Sequence, residues 1–344
     1  MKALRMHSWG VEPAPEEVPE PRPGEGEVLV RAEACGVGLT VLNCIRGDLG
    51  ADPGDLPRVP GHELVGRIVE VGPGVDATRL GERVAAYFYL FCGRCRRCLA
   101  GGQNLCDALA GFVGVHRDGG YAELAVLPER NAVRLPDSLD PVLATVVPDA
   151  VATAVHVAHV AGIGPGRRVA VVAAGGGVGV HVVQVARVFG AEVAGLEAAA
   201  PKRRHLETEL GIPAFDSTEF AAVELPATWG ARADVVVDLL GRQASLSWAL
   251  ATLDTGGRLV TLTTFPGVEV PLDPRRLVFG EGSVLGSRYA TRPELDEAAG
   301  LVAAGRVRPV IGRRETVAGV EAIHEDLRAG RLLGRGALVW SSGS

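Results

Sequence analysis

Residues 167–197, RRVAVVAAGGGVGVHVVQVARVFGAEVAGLE, constrain the fold more than any other stretch. An apolar run rich in valine meets a glycine cluster, a helical apolar pattern follows, and a second apolar run ends in an acid. A glycine turn between a strand and a helix lets backbone approach a pyrophosphate, whose charge is favoured by unpaired amides at the helix N-terminus. The turn reads Ala174-Gly175-Gly176-Gly177-Val178-Gly179, with Ala174 replacing the first glycine of the usual fingerprint. Glu197 lies 18 residues beyond Gly179, where an acid accepts from a ribose 2'-hydroxyl. Gly175, Gly176, Gly177, Val178, Gly179 and Glu197 are therefore candidate cofactor-binding residues, and NAD is the expected cofactor. Lys202, Arg203 and Arg204 follow closely; they offer cations to a 2'-phosphate, which keeps NADP as the alternative.

The strand and helix alternation continues through ADVVVDLLG, LSWALATLD and GRLVTLTT, so from about residue 150 the chain reads as α/β with a doubly wound parallel sheet. Before it, EVLVRAEACGVG, ELVGRIVEVGPGV, ERVAAYFYLF and YAELAVLP are short β-rich runs between Gly/Pro turns, the pattern of a compact, mostly antiparallel β domain. After residue 285 come ELDEAAGLVAAGRV, VEAIHEDLRAG and GALVW, two short helices and a strand. With 344 residues, more than the roughly 100 to 200 of one domain, the expected organisation is 1–150, 151–285, and 286–340 returning to the first domain.

Composition narrows the partners. Thirty-five Lys and Arg against 41 Asp and Glu give a net charge of −6, which repels nucleic acid. The opening MKALRMHSWG lacks the apolar core of a secretion signal, and no membrane span is expected. A cytoplasmic protein is the expectation, and in that reducing compartment cysteines point to metal or chemistry before disulfides.

Four of the six cysteines crowd into CGRCRRCLAGGQNLC. Cys92, Cys95, Cys98 and Cys106 are spaced C-x2-C-x2-C-x7-C in a segment with little apolar content to hold its shape. A tetrahedral zinc on four thiolates supplies that organisation. Such a site is closed, so the zinc is expected to be structural.

On ACGVGLT near 35, PGHELVGRIVEVGPGV from 60, the cysteine segment, GGYAELAVLP, the glycine fingerprint and GSRYATRPELDEAAGLVAAGRVRP from 286, the chain resembles the medium-chain dehydrogenase/reductase superfamily, zinc-containing alcohol dehydrogenase type. The likeness runs almost end to end. It implies a GroES-like β-rich catalytic domain, a Rossmann domain, hydride transfer in a cleft between them, and a homodimer or homotetramer formed through the Rossmann sheet. It also implies that Arg288 lies near the cofactor's pyrophosphate.

The resemblance breaks at one place. Where the zinc-containing branch has a cysteine that binds catalytic zinc, this chain has Gly38; where that branch has an aspartate orienting the ligating histidine, it has Val41. Asn43 stands where some members have a proton-relay histidine. By the same resemblance Thr40 is the hydroxyl that exchanges a proton with the substrate, and His62, Glu63 and Asp149 are the surviving elements of the metal site. The catalytic zinc is expected to be lost or weakened, with a thiolate-free site on those three residues as the alternative. Cys35 and Cys44, several residues from the ligand position, read as core cysteines, with substitution for the missing ligand as the alternative.

The expected function is NAD(H)-preferring interconversion of an alcohol and a carbonyl compound. Leu39, Val41, Tyr87, Phe88, Tyr89 and Leu90 fall where an apolar substrate would be lined or are simply core. Zinc-independent reduction of an activated C=C or a quinone is the alternative within enzymes, and a non-catalytic NAD(P)-binding protein the alternative outside them.

Overall fold

The computed structural model describes residues 1–340 apart from 51, 264, 266, 270 and 271. The chain forms two compact units. The first comprises 1–152, 290–305 and the segment from 309 onward; the second comprises 153–289 and 306–308.

The first unit is built on a sheet running, edge to edge, Ile311–Glu315, Arg335–Val339, Glu27–Val37, Glu63–Val71, Arg83–Ala86 and Ala132–Arg134, with Leu124–Pro128 also paired to Glu27–Val37. All of these ladders are antiparallel except that between Ile311–Glu315 and Arg335–Val339. Glu27–Val37 is the central strand, and Val28, Val30, Ala34, Cys35 and Val37 are fully buried along it. Two register shifts against Glu63–Val71 bend that pairing; such bulges re-aim side chains at a strand end. On its other side Glu27–Val37 pairs with the late strand Arg335–Val339, Gly336 opposite Val37.

The second unit carries a six-stranded sheet in the order Ala214–Asp216, Glu192–Glu197, Arg168–Val172, Ala233–Asp238, Leu253–Thr261, Ser283–Gly286, all parallel. In chain order this is 3-2-1-4-5-6, the doubly wound nucleotide-binding arrangement. Helices on the faces explain why Val169 to Val172 are wholly buried, an unbroken apolar run rather than an alternating one. Ala170, Val172, Leu196, Val236, Ala249 and Leu259 form its core.

The run Pro141–Ala161 departs from the expectation that no segment could span a membrane. Its 21 residues are long and apolar enough by length and composition, yet 83% of its most apolar window is buried inside the protein. It is a core helix, apolar on all sides because packing surrounds it.

Candidate active site

In the second unit the glycine turn connects Arg168–Val172 to the helix Gly179–Val188. Crowding explains two of its glycines: a Cβ on Gly179 would lie 2.3 Å from the Ala173 carbonyl oxygen, and one on Gly175 2.6 Å from the Lys202 Cβ. The left-handed residue of the turn is Ala173, φ +59°, a strained conformation for alanine that the glycine pattern did not foretell. No side chain caps the helix start at Val178, which leaves backbone N–H groups for an anion.

Glu197, buried at the end of its strand, accepts from the amides of Gly175 and Ala199, both at 3.0 Å. Of the rival cations, Arg203 is engaged: it donates to the carbonyls of Glu197 and Ala198 and pairs with Asp216 at 2.8 Å. Lys202 is buried, and burial lowers its pKa against the pull of Glu197. Arg204 is exposed. Arg288 follows the carboxyl end of Ser283–Gly286, so it shares with the glycine turn the edge of the sheet where such folds bind ligands. Asp238, at the same edge, was not singled out from sequence. Its buried Oδ1 accepts from Leu240 and Gly241, while Oδ2 has no hydrogen-bond partner among the described residues.

In the first unit, strand register gathers a charged cluster. Glu63 opens its strand opposite Gly36, Arg335 opens its own one step before the Gly336–Val37 pair, and Asp149 lies on a π-helical turn, Val147–Val151. His62, Glu63 and Arg335 are buried. His62 Nε2 is 3.5 Å from Glu63 Oε1 and 3.6 Å from Asp149 Oδ2, longer than hydrogen bonds. Arg335 Nη2 is 2.7 Å from that same Glu63 oxygen and pairs with that same Asp149 oxygen. Among the described residues His62 Nε2, both Glu63 oxygens and Arg335 Nε have no hydrogen-bond partner, so the 2.7 Å approach of Arg335 to Glu63 lacks the alignment of a directed hydrogen bond.

Burial pushes the Glu63 carboxyl up to about 7, with Arg335 opposing. Burial acts the same way on Asp149, but there Arg335 and His62 prevail and hold it well below the usual carboxylate range. One guanidinium neutralises one carboxylate: Asp149 is the anion of the pair, and Glu63 keeps its proton to near neutrality.

The glycines around this cluster provide room. Gly38 is extended, φ −131° and ψ −178°, a conformation any residue adopts. A Cβ there would nevertheless lie 1.8 Å from Arg335 Nη1, and one on Gly36 would lie 2.3 Å from Glu63 Oε2. Imidazole and carboxylates are competent zinc ligands, and one donor atom from each of His62, Glu63 and Asp149 falls within 4.8 Å of the others. With the guanidinium on both carboxylates and in the space beside residue 38, these residues do not fit a zinc ion.

Thr40 is half-buried in the first turn of the helix Leu39–Arg46. The aromatic run is largely core. Tyr87 is wholly buried and donates to the Ala290 carbonyl at 2.6 Å, and Val41 is also buried, whereas Leu39 is exposed. Phe88 packs on His62 with ring centroids 4.4 Å apart. Cys35 and Cys44 are buried thiols; burial raises Cys44 to about 12.

Cys92, Cys95, Cys98 and Cys106 converge, with Sγ–Sγ separations of 3.9 Å for Cys92–Cys98 and Cys95–Cys106, close to the edge of a tetrahedron with roughly 2.3 Å metal–sulfur bonds. Amides of Arg94 and Cys95 point at Cys92 Sγ, and that of Cys92 at Cys106 Sγ. The Cys98 amide, first among its donors, helps hold the Cys95 thiol down at about 6, whereas burial lifts Cys98 to about 12. These four residues fit a structural zinc, which would ionise the last thiol.

Residues 24–137 match the alcohol dehydrogenase GroES-like domain family, and residues 177–304 the zinc-binding dehydrogenase family. An alcohol dehydrogenase of Geobacillus stearothermophilus is 33% identical over 97% of this chain and 98% of its own. A thermostable alcohol dehydrogenase from Pyrobaculum aerophilum, solved with cobalt and zinc bound, is 34% identical with a TM-score of 0.89 over 99% of both chains. A Sinorhizobium meliloti 1021 protein solved with NADP is 32% identical with a TM-score of 0.88 over 98% of this chain and 99% of that one. The chain belongs to the medium-chain dehydrogenase/reductase superfamily, as an oxidoreductase of the zinc-type alcohol dehydrogenase family.

Proposed function

We propose that this protein is an NAD(H)-preferring alcohol dehydrogenase or carbonyl reductase that works without a catalytic zinc. The observation that carries the reading is the buried His62–Glu63–Asp149–Arg335 cluster, in which the cationic role is filled by a guanidinium. When bound, the nicotinamide supplies or accepts the hydride. The preference for NAD is supported by Glu197, whose carboxylate would repel a 2'-phosphate, and by the engagement of Arg203 with carbonyls and Asp216; against it stands the NADP-bound relative.

Without a metal to polarise a carbonyl or stabilise an alkoxide, the chain must use hydrogen-bond donors. Thr40 is the candidate to pass a proton to or from the substrate oxygen. Protonated Glu63 and the imidazole of His62 are further polar groups on the same unit. Asp149, tied to Arg335, stays ionised and orients its neighbours. Steady-state kinetics with alcohol, ketone and enone panels and each cofactor test the reading: alcohol or ketone turnover with NAD(H) is expected.

The missing thiolate at Gly38 also favours a second reading, conjugate reduction of an activated C=C or quinone, for which a hydrogen-bond donor to the carbonyl suffices. Turnover confined to enones or quinones would establish it. No turnover with any panel would leave a cofactor-binding protein without catalysis.

A further inference from the structure

We propose that Arg335, admitted by Gly38, is the resident cation of the His62–Glu63–Asp149 cluster, and that its guanidinium and a divalent metal exclude one another there. The inference deepens the zinc-free reading above, on which it rests.

The first support is atomic. The two carboxylate oxygens nearest His62 Nε2, Glu63 Oε1 and Asp149 Oδ2, are the two that Arg335 Nη2 contacts. A metal drawing on His62 Nε2 and on the carboxylate oxygens that approach it at 3.5 and 3.6 Å would compete with the guanidinium for those oxygens. Two cations cannot share them in a buried site without strong mutual repulsion.

The second support is steric. Residue 38 has an extended backbone with no need of glycine, yet any side chain would collide with the guanidinium, Nη1 at 1.8 Å and Cζ at 2.5 Å from an ideal Cβ. The glycine that removes a ligand from the expected metal site thus opens the space that Arg335 fills. Two residues earlier, Gly36 does the same for the Glu63 carboxylate, whose residue lies opposite it in the sheet.

The third is chemical. A guanidinium does not lose its proton in a protein, so it is a permanent counter-ion for Asp149 and cannot yield its place by becoming neutral. Arg335 is in this sense a positioning residue: its guanidinium holds the Glu63 and Asp149 carboxylates together.

The test counts metal. Full-length wild type, Arg335→Ala and Arg335→Gln are loaded with Co2+, dialysed, and analysed for metal per chain and for visible cobalt absorption. Wild type is expected to hold one ion, in the four-cysteine segment. Each variant is expected to hold a second, whose difference spectrum shows oxygen and nitrogen ligation without a thiolate charge-transfer band. A variant that folds only when Co2+ is supplied supports the proposal if it then holds two ions per chain and overturns the exclusion if it holds one. Two ions in wild type would overturn both the exclusion and the zinc-free reading. One ion in wild type and no second ion in either variant, whether folded or not restored by Co2+, would overturn the exclusion alone. Alcohol or ketone turnover by wild type is judged separately.

Discussion

The carboxylate of Glu197 accepts a hydrogen bond from the amide of Gly175 at 3.0 Å, so the acid at the end of one strand is fastened to the glycine turn at the end of its neighbour. A Cβ on Gly175 would come within 3.0 Å of that carboxylate oxygen, so turn and acid act as one unit. Glu197→Ala is expected to reduce the ratio of kcat/KM for NAD(H) over NADP(H) by about tenfold or more, since hydrogen bonds to charged groups are worth about 1.5–3 kcal/mol and tenfold is about 1.4 kcal/mol. A wild-type enzyme that prefers NADPH would mean that Lys202 and Arg204 govern the ribose end instead.

Thr40 carries the next prediction. Thr40→Val keeps the shape of the side chain and removes the hydroxyl, so kcat/KM with the true substrate should fall about 100-fold or more, within the usual range for general acid–base catalysis. Fluorescence titration should find NADH affinity nearly unchanged. Full activity in the variant would show that the proton takes another route.

For the four-cysteine segment, elemental analysis of protein purified without added metal should find about one zinc per chain. Cys95→Ser should lower Tm by on the order of 5 °C or more, because a closed zinc site contributes to folding rather than to chemistry. Residual kcat per folded molecule should stay close to wild type. A protein free of zinc and equally stable would sink the assignment.

The second unit ends its sheet on Ser283–Gly286, which among the described residues is paired on one side only. Val284 on that strand and Val278 and Phe279 on the preceding helix are exposed. An open strand edge beside apolar side chains suits self-association, and we propose that a second copy of the chain docks there. Light scattering should return a multiple of the 35.8 kDa chain mass, and Phe279→Glu should shift it toward the monomer. An unchanged oligomer would place the contact elsewhere.

Much of this was legible in the sequence because it is written locally. The turn from Ala174 to Gly179, the acid at 197 and the cysteine spacing from 92 to 106 lie within short stretches, where strand or helix periodicity and ligand spacing leave few geometries. The departures from the family pattern were equally local, since Gly38 and Val41 stand where the resemblance places a ligand and an orienting acid. Some local detail escaped even so: Ala173 takes the left-handed backbone, and Tyr87 spends its hydroxyl on a carbonyl more than two hundred residues away. What replaced the missing ligand could be decided only by tertiary structure. Arg335 meets Asp149 across 186 residues of chain and Gly38 across a strand pair that joins the end of the molecule to its beginning. A lone arginine before a short apolar run carries no periodicity and no spacing to mark it. Its burial, its two carboxylates and the space left by a glycine exist only once the strands have paired, because electrostatic and steric complementarity depend on distance in space, and the order of residues along the chain does not encode that distance.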